Sequence, residues 1–222
     1  MSRLPRLIVP EIPHHITQRG NRRQRVFFSD SDKSLYLKIL RDNSKKTGLR
    51  YLAYCLMDNH VHLIMIPKEK DEITTTLRET HRKYTTMINL RENWKGYLWQ
   101  GRFGSCPLDD IHLYMAIRYI ERNPIRAGIV EKAENFPWSS ARGHLTLKED
   151  PLLAGTAGYL DFGDWRKYLA EQDSEQFMKS LRLHERTGRP FGDEAFIFRL
   201  EEISGRMLRK RRPGPKGPRS SL

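Results

Sequence analysis

Two apolar stretches separated by only two polar residues constrain the fold of this chain more than any other feature. Residues 49–57 (LRYLAYCLM) and 60–67 (HVHLIMIP) are rich in aliphatic and aromatic side chains, and Asp58 and Asn59 lie between them. Stretches of this length and composition favour β-strands, and a short polar connection is typical of a tight hairpin. The sequence therefore predicts a sheet that contains this hairpin.

The elements on either side of the hairpin predict a known α+β arrangement. The predicted strands are 14–19, 49–57, 60–67 and 97–108, and the predicted helices are 31–45, 72–92 and 110–123. Pro124 is expected to end the last of these helices, because proline disfavours helical geometry in the residue before it. The order β-α-β-β-α-β followed by a helix is the ferredoxin-like pattern, an antiparallel sheet with helices on one face.

The remainder of the chain is predicted to be a helical extension. Helical patterns recur at residues 165–171, 174–186 and 193–207. We therefore predict a domain at 1–145, a C-terminal helical region at 146–208 and a flexible basic tail at 209–222, since that tail combines lysine and arginine with proline and holds no acid.

The charge balance indicates the class of partner. The 222 residues include 40 Lys and Arg against 27 Asp and Glu, which gives a formal net charge of +13. A surplus of this size favours a polyanion such as nucleic acid, although a basic protein without such a partner is the alternative. The absence of a long apolar run predicts no membrane span, and the lack of a secretory signal pattern with only two cysteines fits the cytoplasm.

His60 and His62 are the first candidates for chemistry. Residues i and i+2 of a strand point to the same face, so both imidazoles project together while Val61 points away. Two ring nitrogens placed in this way can bind one divalent cation. The alternative is a chance occurrence, because a His-x-His sequence alone is a weak signal.

Tyr119 and Asn123 are the second candidates. They lie one turn apart on the predicted helix 110–123, beside the apolar stripe of Leu113, Ile117 and Ile120. A tyrosine at this position can present its hydroxyl, and an asparagine one turn later can add an oxygen ligand or a hydrogen bond. The alternative from spacing alone is a tyrosine at the core boundary and an asparagine that merely precedes a proline.

Basic residues mixed with aromatic and amide side chains are the third set of candidates. One cluster spans residues 19–25 (RGNRRQR), and a second is the segment 99–103 (WQGRF). Such mixtures suit contacts with the backbone and bases of unpaired nucleic acid, although the second segment is also ordinary strand alternation. The chain lacks the GxSxG, GxGxxG, Walker A and HExxH motifs, so the corresponding enzyme classes find no support.

Taken in order, these segments resemble one family. HITQRGNRRQRVFF, YCLMDNHVHLIM, LWQGRF, YIERNPIRAGIV and PWSSARGH follow the order of motifs in the single-tyrosine HUH transposases, and are most similar to the REP-associated tyrosine transposases. The resemblance covers about residues 5–145, and the C-terminal TGRPFGDEAFIFRLEEISGRML with its basic tail is also similar to the ending of REP-associated members.

The resemblance implies roles for individual residues. His60 and His62 match the metal ligands, Tyr119 matches the nucleophile, and Asn123 falls where relatives place a third metal-binding side chain. Asp58 departs from the proline that many relatives have before Asn-His, outside the ligand set. The DNA-binding residues implied by the motifs and by the basic clusters are Arg19, Asn21, Arg22, Arg23, Arg25, Gln100, Arg102, Arg209, Lys210, Arg211 and Arg212.

The resemblance also implies an activity. Members cleave and rejoin single-stranded DNA at hairpin-forming palindromic repeats through a 5′-phosphotyrosine intermediate, with Mg²⁺ or Mn²⁺ as cofactor. Whether such a protein acts as a monomer or a homodimer stays open. Two alternatives also stay open: a non-catalytic DNA-hairpin-binding regulator with the same fold, and a metal-dependent hydrolase or RNA-processing enzyme that forms no adduct.

Overall fold

The structure is a computed structural model, and it describes residues 6–146, 150, 152–153, 160–161 and 163–209. Lys210, Arg211 and Arg212 of the predicted tail lie outside the described residues, as do residues 213–222. The strands are β1 (His14–Arg19), β2 (Arg50–Met57), β3 (His60–Ile66) and β4 (Gly104–Pro107). The helices are α1 (Asp30–Ser44), α2 (Glu72–Glu92), α3 (Asp110–Glu121), α4 (Asn123–Arg126), α5 (Ala141–Thr146), α6 (Trp165–Ala170), α7 (Glu175–Thr187) and α8 (Glu194–Ser204).

The four strands form one antiparallel sheet in the order β2-β3-β1-β4. The predicted hairpin joins β2 to β3, and β1 lies between β3 and β4, which is the strand order of the ferredoxin-like arrangement. The predicted α+β fold class is therefore confirmed. The register places Thr17 of β1 opposite His62 and Arg19 opposite His60.

Alternate residues of the strands build two different cores, one on each face of the sheet. Val61, Leu63 and Met65 of β3 belong to the core beneath α1 and α2. Ile64 and Ile66 of the same strand belong to the core beneath α3. Helices α1 and α2 thus share one face, while α3, α5, α6 and α7 pack on the other.

Local signals explain where several helices begin. Ser29 caps α1 and forms a capping box with Asp32, and Asp109 caps α3 by accepting from the backbone N–H of His112. Ser174 caps α7 in the same way, and Gly188 ends that helix with φ of 70°.

Two predicted boundaries were wrong. Within residues 97–108 only Gly104–Pro107 is a strand, because Gly96 and Gly101 adopt positive φ and turn the chain before it can extend. The predicted helix 110–123 ends at Glu121, and Asn123 begins a further helical turn. Pro124 occupies the second position of that turn, where its missing N–H is not needed, so it separates two helices rather than ending helical structure.

Helices α6 and α7 pack against the same core as α3. Trp165 and Leu169 of α6 and Phe177 and Leu181 of α7 are buried in that cluster. The domain boundary at residues 145 and 146 stays a prediction. None of the helices in the described ranges combines the length and hydropathy that a membrane span requires.

Candidate active site on the face of the sheet beneath α3

His60 and His62 lie side by side at the start of β3, with their ring centroids 4.9 Å apart. The Oδ1 atom of Asn59 lies 2.6 Å from Nδ1 of His60. Because an amide oxygen only accepts, His60 holds its proton on Nδ1 and presents the lone pair of Nε2. The hairpin turn therefore fixes the orientation of the first histidine.

His15 fixes the orientation of the second histidine from the neighbouring strand. Its Nε2 atom shares a hydrogen bond of 2.9 Å with Nδ1 of His62, and the two rings are stacked. Nε2 is then the nitrogen of His62 that remains for another partner. The sequence does not predict His15 as a site residue, because its contact with His62 depends on the pairing of β1 with β3.

All three histidines are held neutral. Burial lowers the pKa of His60 to about 4 and that of His15 to about 3. Burial, with the neighbouring His60 and His15, places the pKa of His62 well below its ordinary value. Neutral imidazoles offer lone pairs, which is the form that a metal ion binds.

Tyr119 of α3 faces His62 across the site, with 6.0 Å between the ring centroids and the planes nearly perpendicular. Two arginines contact this tyrosine. The Arg126 guanidinium lies 4.0 Å from the centre of the ring, and Arg182 of α7 forms a hydrogen bond to the Tyr119 side chain that raises the pKa of Arg182. The Tyr119 side chain thus lies beside two fixed positive charges.

Asn123 completes this group. It is the first residue of α4, and its Nδ2 atom lies 3.5 Å from Nε2 of His60. The structure therefore brings His60, His62, Tyr119 and Asn123 together, the four residues that the family resemblance assigned to one site.

Glu185 of α7 is a further acidic group at the site. Its Oε1 atom lies 3.5 Å from Nδ1 of His15 and 3.9 Å from Nδ1 of His62. Burial raises the pKa of Glu185 to about 7, although Arg19, Arg182 and Arg126 oppose the shift. His15, His62 and Glu185 form a second set of donor atoms, all within 4.8 Å of one another.

Ion pairs hold the start of α7 against the helix that bears Tyr119. Asp173, whose side chain is 1% exposed, accepts from Arg118 at 3.0 Å and from Arg126 at 3.0 Å. Arg118 also pairs with Glu171 at 2.8 Å. Glu185 and Arg182 are far from the other site residues in sequence, and no motif marked them.

Comparisons with known proteins identify the family of this chain. A family model described as "Transposase IS200 like" matches residues 8–123, which is more than half of the chain. This chain belongs to the IS200-like transposase family. The matched residues include all four that meet at the candidate site.

Individual relatives of this IS200-like transposase were also found. A curated Haemophilus influenzae protein, provisionally named a REP-associated tyrosine transposase, is 28% identical over 120 residues, covering 47% of this chain and 68% of that protein. A solved REP-associated tyrosine transposase bound to a REP hairpin matches with a TM-score of 0.57 and 18% identity, covering 79% of this chain and 100% of that one. A Deinococcus radiodurans structure, provisionally named a transposase, has a TM-score of 0.38 and 22% identity over 55% of this chain and 97% of that one.

The first predicted DNA-binding cluster lies next to the histidines of the transposase. The charge of Arg19 opposes protonation of His60, and the backbone N–H of Gly20 donates to Asn59 at 2.8 Å. Arg22 and Arg23 are exposed and adopt positive φ of 51° and 63°, an unusual conformation for arginine that often marks a functional loop.

The remaining residues predicted to bind DNA lie farther apart in the structure. Arg25 donates to Asp58 at 2.6 Å, so the residue that departs from the family pattern has a local partner. Gln100 and Arg102 are exposed on the segment that pairs with the end of β1. Arg209 pairs with Glu201 of α8 at 3.0 Å. Asn21 is the first residue of a short 3-10 helix, Asn21–Arg23, that follows Gly20.

Proposed function

We propose that this transposase cleaves and rejoins single-stranded DNA beside hairpin-forming repeats, with Tyr119 as the nucleophile. The observation that supports the proposal best is the position of Tyr119, buried opposite His62 in the same group as His60 and Asn123. Two oriented neutral imidazoles, an amide and a tyrosine between two arginines are the parts that such a reaction requires.

His60, His62 and Asn123 would hold the divalent cation, Mg²⁺ or Mn²⁺. Both imidazoles are neutral, and each has one nitrogen already engaged by a neighbour. The Asn123 amide nitrogen lies 3.5 Å from the other nitrogen of His60, so the amide would turn to present its oxygen to the cation. The alternative set with Glu185 fits less well, because Nδ1 of His62 already shares a proton with His15. A bound cation would supply charge stabilisation at a phosphate oxygen, and the histidines make Mn²⁺ a cation worth testing.

The residues of the chain would then perform the transfer. The Tyr119 oxygen forms a bond to the scissile phosphorus as the bond from phosphorus to the 3′ oxygen breaks, and the phenol proton ends on the departing 3′-hydroxyl. Arg182 and Arg126 stabilise the negative charge that develops on the tyrosine oxygen. The phosphotyrosine retains the energy of the phosphodiester, so a 3′-hydroxyl can reverse the step without a nucleotide cofactor.

A folded single strand is the proposed substrate. The solved relative with the same fold is described as bound to a REP hairpin. In this chain three arginines lie near the turn between β2 and β3, next to His60 and His62: Arg19, Arg22 and Arg23. They would attract the phosphates of such a strand. Binding should therefore weaken steeply as salt rises.

A denaturing-gel adduct assay tests the proposal. Labelled single-stranded DNA containing a repeat hairpin is incubated with Mn²⁺ and wild type, Tyr119→Phe or the control Tyr114→Phe, which alters another tyrosine of the same helix. A slowly migrating protein–DNA band is expected with wild type and Tyr114→Phe, and its loss with Tyr119→Phe and with EDTA. Cleavage that persists in Tyr119→Phe would instead indicate a hydrolase, and hairpin binding without any cleavage would indicate a regulator.

A further inference from the structure

The turn between β2 and β3 has a backbone conformation that a two-residue hairpin does not favour by itself. Met57 pairs with His60, so only Asp58 and Asn59 form the connection. Two-residue connections favour turns with positive φ at one or both central residues, because those turns match the twist of the strands. Neither Asp58 nor Asn59 adopts a positive φ. Contacts outside the hairpin must therefore hold this turn in place.

Hydrogen bonds attach both residues of the turn to the segment that follows β1. The carbonyl oxygen of Asp58 accepts from the backbone N–H of Val26 at 2.8 Å. The carbonyl oxygen of Asn59 accepts from the N–H of Gly20, also at 2.8 Å. The side-chain amide of Asn59 donates to the carbonyl oxygen of Arg23 at 3.2 Å. These bonds fix one side of the turn, and the remaining constraint comes from its charge.

The Asp58 carboxylate forms two ion pairs that differ in burial. Its Oδ1 atom lies 2.9 Å from Nζ of Lys33 on α1, and its Oδ2 atom lies 2.6 Å from Nη2 of Arg25. The Lys33 side chain is 9% exposed, whereas that of Arg25 is 62% exposed. An exposed ion pair contributes little, but a buried ammonium that loses its partner is strongly unfavourable. The pair with Lys33 therefore does most to hold the turn against α1.

The second residue of the turn transmits this constraint to the candidate active site. Oδ1 of Asn59 lies 2.6 Å from Nδ1 of His60, while Nδ2 of the same amide is held by Arg23. A shift of the turn would move the amide and release the His60 ring. Nε2 of His60, which lies near Asn123, would then lose its fixed direction. Groups that orient a metal-binding histidine in this way commonly set the affinity for the metal.

We propose that Asp58 is a positioning residue for the cation site, because its ion pair with Lys33 fixes the turn that orients His60. The inference rests on the proposed function, since it takes His60 as a ligand of the cation. The effect passes through Asn59, whose amide contacts the ring. A positioning role depends on the geometry of the turn, so a neutral residue that stiffens the same backbone should replace the ion pair. Proline is such a residue, because it favours the first central position of a turn with negative φ.

Binding of Mn²⁺ to the full chain without DNA tests the proposal. The electron paramagnetic resonance signal of free Mn²⁺ falls as the ion binds, and the binding at issue is the part that His62→Gln removes. Asp58→Asn keeps the size of the side chain but removes its charge, and it should raise the dissociation constant about tenfold. Asp42→Asn is the matched control, because Asp42 forms an exposed ion pair with Lys38 within α1 at 2.8 Å. The control should stay within about twofold of wild type.

Lys33→Met separates positioning from electrostatic attraction, because the two effects have opposite signs. Loss of a positive charge near the site would by itself tighten Mn²⁺ binding. Loss of the partner that holds the turn should weaken binding, although less than Asp58→Asn does, since Arg25 still pairs with the carboxylate. Lys33→Met combined with Asp58→Pro should return the dissociation constant to within about threefold of wild type, because the proline ring fixes φ without a charge.

The tautomer of His60 provides a readout that needs no cation. Long-range ¹H–¹⁵N spectra of the histidine rings should show the proton on Nδ1 in wild type and a mixture of both tautomers in Asp58→Asn, with the His60 signals assigned by their loss in His60→Gln. An unchanged tautomer and dissociation constant in Asp58→Asn, or tighter binding by Lys33→Met, would overturn the positioning role and leave the proposed function intact. If wild type binds no Mn²⁺ that His62→Gln removes, the proposed cation site fails and this inference fails with it.

Discussion

The two faces of the sheet are made from alternate residues of the same strands, yet they differ in almost every physical respect. The face beneath α1 and α2 is filled by aliphatic side chains and by an aromatic cluster in which Phe27, Tyr36, Tyr84 and Trp99 contact one another. The face beneath α3 buries His15 and His62, and it half-buries His60 and Glu185, next to Tyr119. A single strand thus contributes both to an apolar core and to the candidate active site.

The difference teaches where each kind of residue is tolerated. Burying a polar group is unfavourable unless it is hydrogen-bonded, and the histidines on the face beneath α3 obtain partners from β1, the hairpin turn and α4. The opposite face supplies apolar burial that offsets this cost. Adjacent residues of β3 should therefore respond to substitution in opposite ways.

The largest effect is expected at His62. His62→Gln retains a polar side chain but removes the ring nitrogen that faces away from His15. Cleavage should fall about 1,000-fold, since a metal site supplies several kcal/mol of transition-state stabilisation and each ~1.4 kcal/mol is a factor of ten. Single-turnover cleavage in Mn²⁺, corrected for the folded fraction by circular dichroism, measures this loss. Activity near that of wild type would remove His62 from the site.

The neighbouring residue tests the other face. Leu63 is fully buried in the core beneath α1 and α2. Leu63→Ala should lower the free energy of unfolding by about 2–5 kcal/mol through lost burial and a cavity, while cleavage per folded molecule stays close to that of wild type. Denaturant unfolding and the same cleavage assay separate the two quantities. A large loss of specific activity would contradict the division between faces.

The sequence predicted this division where it depends on local alternation. Period-two spacing placed His60 and His62 on one face, and helical spacing placed Tyr119 one turn before Asn123. The strand predicted at 97–108 failed at Gly96 and Gly101, since an apolar and aromatic composition does not reveal left-handed glycines.

The parts that the sequence did not predict depend on tertiary contacts. Alternation along β1 places His15 on the same face of the sheet as Thr17 and Arg19. Its contact with His62 depends in addition on the register between β1 and β3. Glu185 and Arg182 reach the site because Asp173 holds the start of α7 against α3. No pattern within α7 indicates which face of the sheet it will cover.

Substitution of Glu185 should have a moderate effect that shows how far α7 contributes to the candidate active site. Its carboxylate adjoins His15, which orients His62, so Glu185→Gln should reduce cleavage about 10- to 100-fold and raise the Mn²⁺ concentration needed for half-maximal rate. Glu175→Gln is the matched control, because Glu175 is exposed on the same helix. Partial recovery in Glu185→Asp is expected for a positioning role. An unchanged Mn²⁺ requirement would argue that Glu185 only fills space.

The smallest effect concerns a histidine on the apolar face. Burial lowers the pKa of His81 to about 3, and its Nε2 lies 3.1 Å from the Tyr36 hydroxyl. In the unfolded chain the same ring takes up a proton near pH 6.5, so below that pH the unfolded state binds more protons. Stability is therefore fully present above pH 6.5 and falls as the pH is lowered toward 3, by up to about 1.4 kcal/mol per pH unit for each such group.

Substitution of His81 isolates its share of that slope. His81→Phe removes the titrating ring but keeps an aromatic side chain against Trp99, whose ring centroid lies 4.5 Å away. Between pH 6.5 and 4.5 the slope of unfolding free energy against pH should decrease in the variant by about 1.4 kcal/mol per pH unit, which corresponds to one bound proton. The slope should not reach zero, because His14 and His15 are also buried with lowered pKa values. Urea titrations of wild type and variant across this range measure both slopes. If the two slopes are equal, His81 takes up its proton over the same pH range in the folded and the unfolded protein. The face beneath α1 and α2 would then accept a charge that its packing should exclude.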